Sequence, residues 1–184
     1  MFMKRIAFYS VLILSLNSCL PQDQPNPVED LFRDCCGTEA VEFTHQGARI
    51  YVPNVFTPNR DKVNDFFYPF TSEEDVEIQG FTIISAKGDT VLFQRDFMNY
   101  KDIENFGWNG KRPDGTIYVG LFKYGMRAIS KGVLRYVEGV ACAVPCGPAS
   151  KSVQSNNNCF FPSQAGKAGS LDRSKPNEEK SCFE

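Results

Sequence analysis

Between residues 41 and 144 the hydrophobic positions fall in short runs rich in β-branched and aromatic side chains: VEFTH, RIYVPNVF, VEIQGFTIIS, TVLFQR, TIYVGLFKYGM and GVLRYVEGVACAV. Gly, Pro, Asn and Asp punctuate them, and no long helical period appears, so each run reads as a strand. Ser85-Ala86-Lys87-Gly88-Asp89 reads as a hairpin turn, and Arg112-Pro113-Asp114-Gly115 has Pro and Gly where a tight bend needs them. Several strands at this spacing predict an all-β domain over residues 41–144, an antiparallel sandwich. Its expected core includes Phe81, Ile83, Ile117, Val119, Leu121, Val133 and Tyr136. Trp108, set among Gly107, Asn109 and Gly110, is expected to pack inward rather than to stack a sugar ring.

The beginning of the chain has a different pattern. Lys4 and Arg5 precede the apolar run IAFYSVLILSL, which is shorter than the roughly 20 residues a spanning helix requires and fits a secretory leader. It closes on Leu16-Asn17-Ser18-Cys19, which resembles a bacterial lipobox. The resemblance implies that residues 1–18 are removed and that Cys19 carries a thioether-linked diacylglycerol and an N-acyl chain. Residues 19–40, rich in Pro and acidic side chains near their start, then form a lipidated tether. Apart from that covalent lipid no cofactor is expected.

Composition narrows the function classes. The net charge of −2 becomes −4 once Lys4 and Arg5 leave with the leader, so no basic surface exists to neutralise phosphates and nucleic acid is excluded as a partner. The single histidine, His45, lies in a strand-like run, and no Ser-His-Asp, Cys-His or paired-carboxylate grouping can be read around it, so no enzyme is expected. With Cys19 lipidated, Cys35, Cys36, Cys142, Cys146, Cys159 and Cys182 remain, an even set in an exported chain, and disulfides are expected. Cys142 and Cys146 with Cys35 and Cys36 offer four thiolates for zinc, but not at zinc-ribbon spacing. Adjacent cysteines bond to each other only with strain, so Cys35 or Cys36 is expected to reach Cys142 or Cys146.

The run IYVPNVFTPNRDKVNDFF at residues 50–67 is followed by KGDTVLF, then Gly107-Trp108-Asn109-Gly110, then PDGTIY and a last strand near Lys131-Gly132. In order and spacing this resembles the gliding-motility-associated C-terminal domain of Bacteroidetes, the type B sorting domain of type IX secretion, over about residues 48–140. The resemblance implies an immunoglobulin-like sandwich and a bacterium whose lipoproteins commonly reach the outer face of the outer membrane. In the family the domain ends the chain and serves as the sorting signal, whereas 44 residues follow Val140 here. The family loop also carries glycines where this chain has Arg60 and Lys62. In that loop Asn59, Asp61, Asn64 and Asp65 offer oxygens at the alternating spacing of calcium loops. The two cations oppose a bound ion, so the expectation is an Asx-turn network and no metal.

Residues 145–184 are polar, rich in Ser, Asn, Gly and Lys, and predicted to be an irregular, disulfide-stapled arm. Phe160, Phe161 and Phe183 are its apolar exceptions and are expected to be anchors for a partner. A lipid anchor, a small sandwich, an arm and no catalytic grouping predict a non-catalytic accessory subunit of an outer-membrane β-barrel complex, at the cell-surface face. The type IX translocon, the β-barrel assembly machine, a nutrient-uptake pair and the gliding apparatus all fit. A surface-displayed adhesin, a sorting-domain cargo or a sugar-binding module is the alternative.

Overall fold

A computed structural model describes Phe32 and residues 34–37, 39–72, 75–100, 102–154, 156–179 and 182. Cys19 and Phe183, and with them the lipidation site and one expected anchor, lie outside the described residues. The chain is all-β, with eight strands among the described residues: β1 (Glu42–His45), β2 (Ala48–Tyr51), β3 (Val55–Phe56), β4 (Phe70–Thr71), β5 (Glu77–Ser85), β6 (Val91–Phe97), β7 (Gly120–Ser130) and β8 (Val133–Ala143). They form a three-stranded sheet, β1-β2-β4, and a five-stranded sheet, β3-β8-β7-β5-β6. The run RIYVPNVF, read as one strand, is broken between β2 and β3 at the segment holding Pro53, which has no N–H to give a ladder. The pairing is not purely antiparallel either, because β3 runs parallel to β8, Val55 opposite Cys142.

Two hairpins are closed by two-residue loops with left-handed backbone at both positions, as the right-handed twist of the flanking strands favours. Gln46 and Gly47 (φ 52° and 88°) join β1 to β2, and Lys131 and Gly132 (φ 49° and 76°) join β7 to β8. The turns read at Ser85–Gly88 and Arg112–Gly115 are both present, each closed by a backbone hydrogen bond of 2.8 and 2.9 Å respectively.

The sheets pack face to face on Ile50, Phe56, Phe67, Phe81, Ile83, Trp108 and Phe122. Aromatic geometry organises this layer: Phe122 meets Phe67 edge-on at 4.8 Å and Trp108 at 4.9 Å. Trp108 is buried as expected, and its indole N–H donates to the Lys111 carbonyl at 2.8 Å. Phe81 and Ile83 also lie in this core, whereas Ile117, Val119 and Leu121 are half-buried. Val133 and Tyr136 correct the expectation outright, being 45% and 74% exposed. Positions three apart in a strand face opposite sides. Val137, Ala141 and Ala143 point inward, which turns Tyr136 outward, and Val133 sits at the hairpin tip, opposite Ser130, with little to cover it.

The arm is the larger correction. Phe160 and Phe161, expected as exposed anchors, are buried in their own chain, Phe161 at 1% exposure. Phe161, Val153 and the cysteines Cys35, Cys36, Cys142, Cys159 and Cys182 form a second apolar cluster with Val55 and Val144. Leu121 packs against it from β7, directly opposite Cys142, so this cluster covers the outer side of the five-stranded sheet at one end. Phe160 joins Val41 and Tyr51 in a third cluster, on the outer side of the three-stranded sheet, with Phe70, Ala165 and Leu171 against it. The arm therefore clasps both sheets from outside. At Gly169 (φ 72°) a Cβ would come within 2.3 Å of the Arg49 carbonyl, so the clasp needs glycine where it touches β2. Polarity of composition hid this, because each sheet needs only a few rings to cover it.

Candidate functional site

Three disulfides fix the clasped end: Cys35–Cys142, Cys36–Cys159 and Cys146–Cys182. The first matches the expected tie between the paired cysteines and the end of the last strand. Cys35, Cys36, Cys142 and Cys159 are all buried, whereas Cys146 is exposed and its partner Cys182 is not.

Next to the third disulfide lies the loop of residues 59–65. Of its four singled-out side chains, Asn59, Asp61 and Asp65 turn their oxygens to the loop's own N–H groups. Asp65 accepts from the Arg60 N–H at 2.5 Å with one oxygen and from the Lys62 N–H at 2.7 Å with the other. Asp61 accepts from the Val63 N–H at 2.8 Å and from the Asn59 amide at 2.9 Å, and Asn59 in turn accepts from the Asp61 N–H at 3.0 Å. The bonds to Asn59 and Asp61 from the N–H groups two residues on are Asx turns, and Asp65 reaches back to close the loop. Arg60, Lys62 and Asn64 adopt left-handed backbone (φ 69°, 75° and 49°), a conformation that glycine reaches without a steric cost.

Asn64 is not a loop ligand at all; it pins the arm. Its amide donates to the Asn177 carbonyl at 2.7 Å and to Glu179 at 2.9 Å, and its oxygen accepts from the Ser163 N–H at 2.7 Å. Asn54 does the same one strand away, donating to the Asn158 carbonyl at 2.8 Å and accepting from the Phe160 N–H at 2.7 Å. Tyr51 completes the set through its hydroxyl, which donates to the Phe161 carbonyl at 2.8 Å.

Glu179 was not singled out from the sequence. It is fully buried; one carboxylate oxygen accepts from Thr57 and from Asn64, and the other, also buried, has no hydrogen-bond partner. Burial is the main reason its pKa rises to about 7, with the charges of Asp61 and Asp65 adding to the rise and the Thr57 and Asn64 hydrogen bonds opposing it. Among the described residues, Cys146, Glu179 and Cys182 are the grouping of three metal-type donors, all within 4.8 Å of one another, but the two sulfurs are bonded together. The run NEEK around Glu179 reads as solvated polar chain, and only the meeting with Thr57, 122 residues away, reveals otherwise.

The opposite end is bare by comparison. Leu134 and Tyr136 point outward from β8, 44% and 74% exposed. Farther along the five-stranded sheet lies a hollow of about 660 Å³, lined by Ile84, Lys123, Gly125, Glu138 and Val140 together with Glu39 and Phe43. Lys123 and Glu138 give it both signs of charge. His45 is engaged near the hairpin tip, its Nε2 donating to the Val133 carbonyl at 2.8 Å. No protein-family model matches the chain, and no curated protein or solved structure matches it significantly.

Proposed function

We propose that this chain is a surface lipoprotein, anchored by the lipid on Cys19, that serves as a non-catalytic accessory subunit of an outer-membrane β-barrel complex. The proposal includes an immunoglobulin-like reading of the sandwich and a Bacteroidetes source, both resting on the resemblance of residues 48–140 to the gliding-motility-associated domain. The observation that carries it is the division of the outer sheet face. At one end the arm covers that face; at the other Leu134 and Tyr136 stand outward, large side chains of the kind that anchor interfaces. The docking surface accordingly moves from the arm, whose rings are already buried, to the β7–β8 hairpin.

A tagged full-length protein purified in mild detergent is the test. The expected result is a β-barrel partner at near-equal amount, lost from a Leu134→Ser/Tyr136→Ser variant that keeps its thermal stability. Recovery of the wild-type protein alone would overturn the subunit reading and leave surface display. Deleting the arm is no substitute, because Phe161 and Cys159 belong to the folded core.

A further inference from the structure

We infer that Cys146–Cys182 is a thiol-exchange site, opened by an external dithiol, with Glu179 as the proton donor to the departing sulfur of Cys182. The inference stands on position and is independent of the proposed membrane role.

A thiolate must approach a disulfide sulfur in line with the bond, so access selects the bond that reacts. Two of the three disulfides join pairs of buried cysteines within the second apolar cluster. Only the third presents an exposed residue, Cys146, and its partner Cys182 is buried. Attack on the Cys146 sulfur forms a mixed disulfide with the dithiol and breaks the Cys146–Cys182 bond, leaving the electron pair on Cys182. A thiolate in that buried place is costly unless a proton reaches it.

Glu179 is the group that can supply one. A carboxylate oxygen lies within 4.8 Å of both sulfurs, and the oxygen not held by Thr57 and Asn64 is buried without a partner. Asp61 and Asp65 are the other acids acting on it, and they favour its protonated form. The proton passes from Glu179 to Cys182, and water returns one to Glu179. In the second step the other thiol of the dithiol attacks the mixed disulfide and releases Cys146 as a thiolate, with the Asn59 amide N–H 2.8 Å from its sulfur to stabilise the charge. The protein disulfide gains two electrons and two protons, and the dithiol leaves as its own disulfide. The covalent tie between residue 146 and the chain end is thereby cut while the other two bonds keep the arm clasped.

The experiment is timed reduction of the full-length chain with dithiothreitol between pH 6 and 9, followed by alkylation and peptide mass mapping. Cys146 and Cys182 should be labelled at least about tenfold faster than the other four cysteines. Glu179→Gln should slow that labelling by about tenfold and change the pH profile near neutrality without altering the slower pairs. Should that variant fold poorly, Asn59→Ala provides the second reading, with the mixed disulfide on Cys146 accumulating. Simultaneous opening of all three bonds would overturn the inference, as would an unchanged rate and pH profile in folded Glu179→Gln, or Cys182 rather than Cys146 in the mixed disulfide.

Discussion

The two ends of the β7–β8 hairpin share a sheet and a strand pair, yet they are different materials. At the clasped end Leu121 and its cross-strand partner Cys142 lie beneath the arm, and residues 141–144 are buried without alternation. At the hairpin tip the same face, at Leu134 and Tyr136, is open. Since both stretches are β-sheet with regular antiparallel register, secondary structure does not explain the contrast. A remote segment covering one end does, and it converts a surface strand into a core strand without changing its conformation.

The strongest way to break that contrast is to remove the covalent clasp. Replacing Cys35, Cys36, Cys142 and Cys159 with Ala opens both bonds between the paired cysteines and the clasped end, which span 107 and 123 residues, and should lower unfolding free energy by at least about 4 kcal/mol, read from denaturant midpoints. A loss below about 1 kcal/mol would mean that packing alone holds the arm. Next in size is the ring itself. Phe161→Ala should cost about 3–5 kcal/mol, and Tyr136→Ser less than about 0.5 kcal/mol. Equal costs would erase the distinction between the ends.

The smallest effect concerns pH and sharpens the clasped side. Glu179 has its pKa raised from 4.5 to about 7 on folding, so in that window the native protein keeps a proton that the unfolded chain releases. Its contribution to stability is therefore present at low pH and declines as pH rises between those values, levelling above about 7. Melting temperature of the wild type should fall through that window, and Glu179→Gln should flatten the slope. An unchanged slope would show that the carboxylate is solvated.

Period-two alternation was enough to place β1, β5, β6 and β8 near their observed positions, and the Pro and Gly turns between runs were legible for the same local reason. The run VACAV also carried a readable sign, since its lack of alternation marks a strand covered on both faces. What no local pattern contains is which segment provides the cover. Phe160 and Phe161 in a polar tail look identical whether they meet a partner or their own sheet. The two-residue strand β4 is too short to register as a period, and the parallel β3 contact depends on a residue more than 80 positions away. Asn64 was found for the wrong chemistry, and Glu179 only by its distant partners.

The order of the crosslinks also determines how the molecule would carry a load. A pull applied between residues 35 and 182 passes through Cys35–Cys142, along the chain to Cys146, and through Cys146–Cys182. Strands β1 to β7, and all of β8 before Cys142, lie outside that line of force. Tension would reach only a few residues of backbone before meeting sulfur, and the hydrogen-bonded ladders would bear none of it. With the bonds closed, the domain is a short inextensible link, and its sheets are slack passengers on that link.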